Sequence, residues 1–124
     1  MKQLTKAEEQ IMQILWDLKE AVVKQVVDGF DNKKPAYTTV ATVLKVLVNK
    51  GFVASRKIGN TYLFKPAISK AEYTKFQFSS LLKNYFNGSF PKMATFFAKE
   101  NNLSIEELEE ILKITESELK KESK

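Results

Sequence analysis

Thr38, Thr42, Lys45 and Asn49 recur at steps of four, three and four residues, with Tyr37 and Thr39 at the leading end of the same stretch. On a helix at about 100° per residue these positions share one face. Their hydroxyl, ammonium and amide groups suit phosphate oxygens and base edges, and a threonine methyl suits an apolar edge. That is recognition chemistry, not bond-making chemistry. The chain has no histidine and no cysteine, which removes imidazole bases, thiol nucleophiles, disulfides and the donors of most zinc, copper or iron sites. Glu106, Glu107, Glu109 and Glu110 form the densest acidic run. They begin at a helix cap and have lysine neighbours, so they read as a solvated helix face. No Gly-rich phosphate loop occurs. An enzyme is not expected, and neither is a metal or a cofactor.

The charge supports the same chemistry. Residues 1–66 hold 11 Lys/Arg and 6 Asp/Glu, whereas residues 67–124 hold 9 of each, so the net charge of +5 belongs to the first half. No acidic residue lies between Asp31 and Glu72, an interval with seven lysines and Arg56. A basic excess confined to one segment implies a polyanion partner. Lys33, Lys34, Lys57 and Lys65 read as phosphate contacts or as solvated charges. At 124 residues and 44% hydrophobic content the chain can close a core. With no apolar run of 18 residues and no signal-peptide pattern, a soluble, unexported, cytoplasmic protein is expected.

These residues must be positioned by elements that the pattern also predicts. Thr5-x-x-Glu8, Ser69-x-x-Glu72 and Ser104-x-x-Glu107 are three capping boxes, each ahead of an apolar repeat of helical period. The first helix carries Ile11, Met12, Leu15 and Trp16, with Trp16 expected in the core. Val22 to Phe30 reads as a short helix, followed by a polar loop and Pro35. Phe52 to Pro66 reads as two short strands about Gly59-Asn60, a hairpin turn of type II′ or I′. About three helices and a charged tail, Glu116 to Lys124, expected to fray, complete the order.

The stretch AYTTVATVLKVLVNKG, residues 36–51, carries the recognition face and seven Thr or Val residues, types that favour strands. Spacing decides against a strand. Val40, Val43, Leu44 and Leu47 form one apolar stripe at helical intervals opposite the Thr–Lys stripe, and Asn49-Lys50-Gly51 is a helix stop. A helix, a turn, a second helix and a basic hairpin in that order predict a winged helix-turn-helix, with the second helix in the major groove and the hairpin beside the backbone.

LTKAEEQIMQILW, YTTV, the KG stop and GNTYLFKP, together with FNGSFPKMATFFAKENNLSIEELEEI further on, resemble the penicillinase-repressor family from Leu4 to Ile114. The resemblance implies a homodimeric repressor that binds a palindromic operator in double-stranded DNA. It also implies a membrane sensor with a metalloprotease domain, whose signalling leads to repressor cleavage. Carried over by position, the DNA-binding residues are Tyr37, Thr38, Thr39, Thr42 and Lys45 on the helix and Arg56, Lys57, Asn60 and Thr61 on the wing. Where many members carry Arg, this chain has Val46. The Asn–Phe bond cut in β-lactam-responsive members aligns with Phe96–Phe97, without the Asn, and the Cys cluster of copper-responsive members is absent. The alternative reading is a winged-helix module that binds protein and has lost DNA.

The fold class expected is mainly α with a small β-hairpin: a winged-helix domain over residues 1–67 and a helical dimerisation segment over 68–124. Six of the nine phenylalanines fall in the last 58 residues, too few residues to close a core alone. Phe76, Leu81, Tyr85, Phe86, Phe96, Phe97, Leu108 and Ile111 are therefore the expected dimer interface.

Overall fold

A computed structural model of the chain describes residues 1–122. Their order is α1 (Lys6–Leu18), α2 (Val23–Asp28), α3 (Tyr37–Asn49), β1 (Val53–Ile58), β2 (Thr61–Pro66), α4 (Lys70–Tyr85), α5 (Phe90–Glu100) and α6 (Ile105–Glu122). The chain is mainly α with one antiparallel hairpin, and it divides into two compact units, from Met1 to Phe78 and from Ser79 onward.

All three capping boxes form. Thr5 Oγ1 accepts from the Glu8 amide at 3.2 Å while the Glu8 carboxylate accepts from the Thr5 amide at 2.8 Å. Ser69–Glu72 and Ser104–Glu107 repeat that reciprocal pattern ahead of α4 and α6. Each box satisfies two amides that a helix start leaves without partners. α1 then buries Ile11, Met12 and Leu15 along one stripe. α2 is shorter than the Val22–Phe30 pattern suggested, and it stops at Gly29. A Cβ there would lie 2.6 Å from Ile14 Cγ2 on α1, so glycine permits the close approach of the two helices.

α3 is a helix in spite of its Thr and Val content. Val40, Leu44 and Leu47 are fully buried, and Val43 and Val48 are half-buried beside them. Tertiary packing outweighs the weak propensity penalty of the β-branched residues, which is a few tenths of a kcal/mol each. The Lys50 amide closes the helix onto the Val46 carbonyl at 2.9 Å, and Gly51 follows in the left-handed region.

The hairpin pairs Ile58 with Thr61 and Val53 with Pro66. Gly59 has φ 58° and Asn60 does not share a positive φ, which is the type II′ pattern. Phe64 exchanges two backbone hydrogen bonds with Ala21, at 2.8 and 2.9 Å, so the segment between α1 and α2 supplies a minimal third strand. That clip fixes the hairpin to the helices.

The first unit continues past residue 67 because the start of α4 belongs to its core. Tyr73 is buried with its ring 5.8 Å from Phe52, 6.0 Å from Trp16 and 6.1 Å from Phe76, and its hydroxyl accepts from the Leu4 amide at 3.0 Å. Trp16 lies half-buried against this core, and its indole N–H donates to the Ile68 carbonyl at 2.8 Å. A tryptophan needs such a partner where it leaves water.

Among the described residues of the second unit Met93 is the buried side chain, with Leu81, Leu82, Phe86 and Leu103 half-buried. α5 starts at Ser89, whose hydroxyl accepts from the Lys92 amide at 3.2 Å. α6 buries none of its residues: Ile105, Leu108, Ile111, Leu112, Ile114 and Leu119 are all exposed. The charged tail expected to fray continues α6 as regular helix through Glu122, with Lys120 and Lys121 in a last turn that favours cations. Ser123 and Lys124 lie outside the described residues.

Candidate nucleic-acid interface

α3 turns away from the core the face that its spacing predicts. Tyr37, Thr38, Thr39, Thr42, Lys45 and Asn49 are all exposed. Val46 stands among them, one turn beyond Thr42, with 39% of its surface open to solvent. The Thr42 hydroxyl donates to the Thr38 carbonyl at 2.9 Å. Its proton is thereby engaged within the helix, leaving Thr42 a methyl group and acceptor lone pairs to offer a ligand.

On the hairpin, Arg56, Lys57, Asn60 and Thr61 are exposed. Arg56 and Lys57 are successive residues of β1, so they point to opposite faces of the ribbon. Arg56 also lies 4.0 Å from Glu20, at the edge of ion-pair range and largely in water, where such a pair contributes little. The two wing cations therefore lie on opposite faces of the hairpin. Arg56 faces the Glu20 side, and Lys57 pairs across the ladder with Tyr62. Tyr62 is half open to solvent and escaped the sequence reading. It shares a strand face with Phe64, which alternation assigns to the core, but sits two residues nearer the turn, where the core ends.

The cations of the acid-free segment divide by partner. Lys34 donates to the Asp28 carbonyl at 3.0 Å, and Lys50 is bound to Glu8. Lys33, Lys45, Lys57 and Lys65 have no acid within 4.0 Å among the described residues. These four are exposed positive charges available to an anion.

Glu8 and Lys50 form an ion pair that largely leaves water. Lys50 Nζ lies 2.8 Å from both Glu8 carboxylate oxygens, and the Glu8 side chain is only 7% exposed. Burial pushes the Glu8 carboxyl up, but the Lys50 hydrogen bonds, the Thr5 amide and the Lys50 charge outweigh it and hold the group below its ordinary value. Glu8 belongs to the first turn of α1 and Lys50 to the end of α3, each at the helix end whose dipole suits its charge. The pair ties the end of the exposed helix to the start of α1.

The residues expected at a dimer interface separate. Phe76 packs on Tyr73 in the first unit, because the start of α4 is recruited by that core. Leu81, Tyr85, Phe86, Phe96 and Phe97 come together in the second unit around a cavity of about 460 Å³. The rings of Phe86, Phe96 and Phe97 pack at tilted and edge-on angles with centroids 5.5 to 6.2 Å apart. Leu108 lines another hollow with Ala94, Ala98 and Leu103, and Ile111 lies exposed on α6. The Phe96–Phe97 bond lies inside α5.

A profile of the family described as Penicillinase repressor matches residues 4–117. The penicillinase repressor of Bacillus licheniformis is 26% identical over 115 residues, which is 92% of this chain and 90% of that protein. The methicillin resistance regulatory protein MecI of Staphylococcus aureus strain N315 is 21% identical over 113 residues, 90% of this chain and 92% of its own. Among solved structures, the monomeric form of Bacillus licheniformis BlaI in complex with the blaP half-operator aligns at 23% identity and a TM-score of 0.49, over 58% of this chain and 89% of that one. With the profile spanning α1 to α5 whole and α6 as far as residue 117, the chain belongs to the penicillinase repressor family.

Proposed function

We propose that this protein is a homodimeric transcriptional repressor that binds a palindromic operator and has no enzymatic activity of its own. The observation that carries the reading is the exposed Thr–Lys face of α3 together with the hairpin cations Lys57 and Lys65, which have no acid within 4.0 Å among the described residues. A relative named as a repressor and another named as a regulatory protein, each matched over about nine-tenths of both chain lengths, support it. Phosphate contacts by Lys33, Lys57 and Lys65 set position and much of the affinity. Tyr37, Thr38, Thr39, Thr42 and Lys45 enter the major groove, while Arg56, Asn60 and Thr61 approach the flanking backbone.

The second unit supplies the twofold contact. α6 with no buried residue, and aromatic side chains around an open cavity, support burial against a second copy. Two copies place two α3 helices about one DNA turn apart, or a small multiple of it. The protein acts in the cytoplasm, and a membrane sensor of metalloprotease type signals release. Cleavage at Phe96–Phe97 requires local opening of α5 first, since that bond lies within a helix.

A mobility shift on the DNA upstream of the protein's own coding sequence tests the reading. Binding should weaken with a log–log salt slope of several units. Thr42→Glu should abolish the shift while sedimentation still gives a dimer. A flat salt dependence rules out a phosphate-dominated contact, and an unchanged shift with Thr42→Glu removes α3 from the interface. Val46 favours the second reading, a module that binds protein through an apolar helix face, and an absent shift would leave that reading standing.

A further inference from the structure

Val46 is placed where an aliphatic residue contributes least to folding. Val40, Leu44 and Leu47 already seat α3 on the core, and Val46 lies on the exposed side, one helical turn from Thr42. Residues four apart on a helix are neighbours. The Thr42 hydroxyl is turned back onto the Thr38 carbonyl, so the pair presents methyl groups to the exterior. Lys45 and Asn49 flank that apolar spot with polar groups.

The major groove displays one aliphatic group among its base edges, the C5 methyl of thymine. We propose that Thr42 and Val46 form a methyl pocket that reads a thymine in each operator half-site, and that Val46 is a specificity-determining residue. This rests on the DNA-binding reading above. A guanidinium at this position would instead address guanine O6 and N7 in two parallel hydrogen bonds, which an isopropyl group cannot make.

The test is selection of binding duplexes from a random-sequence library with the full chain, followed by replacement of each thymine by deoxyuridine. That change removes only the methyl group. Loss of one buried methyl should weaken binding about fourfold, and about fifteenfold when both half-sites are altered. The penalty should fall at one thymine per half-site and disappear in Val46→Ala, whereas Val46→Arg should shift selection toward guanine there. Fluorescence of Trp16, in the first unit's core, verifies that each variant is folded. Salt-dependent binding with no deoxyuridine penalty above twofold overturns the thymine assignment alone. A penalty that survives Val46→Ala unchanged overturns the assignment of Val46 as the residue that reads that methyl. Selection of no duplex at all overturns the DNA-binding reading itself.

Discussion

Replacing Glu8 by glutamine removes one charge and almost no volume. Glutamine still offers an oxygen to the Thr5 amide, so the cap of α1 is kept in part. Lost are the attraction to Lys50 and the charge assistance of two 2.8 Å contacts. Breaking a fully buried ion pair costs about 3–5 kcal/mol because the remaining charge is stranded. Lys50 is one-quarter exposed and regains water, which places the expected loss nearer about 2 kcal/mol. For a unit of this size that lowers the melting temperature by about 10 °C.

The pH dependence separates charge from packing. Burial alone would raise the Glu8 carboxyl, yet it is held below its ordinary value of 4.5 by Lys50 and Thr5. A carboxylate depressed in the folded state contributes stability that is full above the unfolded value and is lost as pH falls through the folded one. Parent and Glu8→Gln should therefore differ fully at pH 7 and converge as pH drops below about 4. Urea titrations of Trp16 fluorescence at fixed protein concentration, at pH 7 and pH 3, measure this in the first unit. A deficit of equal size at both pH values would assign the loss to packing. A variant as stable as the parent at pH 7 would show that the pair contributes nothing.

Two other perturbations address the scaffold. Gly29→Ala meets Ile14 Cγ2 at 2.6 Å, so it should lose about 1–3 kcal/mol by urea titration although alanine is the better helix former; a gain would mean that α1 and α2 separate freely. Ile111→Glu changes an exposed residue of α6 and should leave the Trp16 transition within about 0.5 kcal/mol of the parent. The same variant should convert the sedimenting species from dimer to monomer at micromolar concentration; an unchanged dimer would remove α6 from the contact.

Much of this architecture is legible from local chemistry. The capping boxes at Thr5, Ser69 and Ser104 form as read, because each is a contact between residues three apart. The close packing of Gly29 on Ile14, fifteen positions earlier, is announced by no local pattern. The recruitment of Tyr73 and Phe76 to the first core is hidden for the same reason, since it rests on Phe52, Trp16 and the Leu4 amide. At the candidate interface, exposure of the Thr–Lys face follows from periodicity. The internal bond of Thr42 depends on side-chain geometry, which composition does not encode, whereas the separation of Arg56 from Lys57 follows from strand alternation once the hairpin is read.

The two units differ in how they satisfy their apolar residues, and that difference constrains how the whole must work. In the first, an aromatic cluster around Tyr73 and three fully buried residues of α3 close a core, leaving the polar face of α3 and a few cations to solvent. In the second, α6 carries six exposed aliphatic residues and buries none, an arrangement that a lone helix in water does not favour. Recognition chemistry is concentrated in the unit that holds its own shape, where Glu8–Lys50 and the Ala21–Phe64 clip fix α3 and the hairpin. The apolar surface left unsatisfied is concentrated in the other. In the homodimer proposed above, a signal that opened the second unit would remove the twofold contact without altering a residue of α3. Each detached first unit would keep its half-site chemistry but lose the gain in affinity that comes from binding two half-sites together.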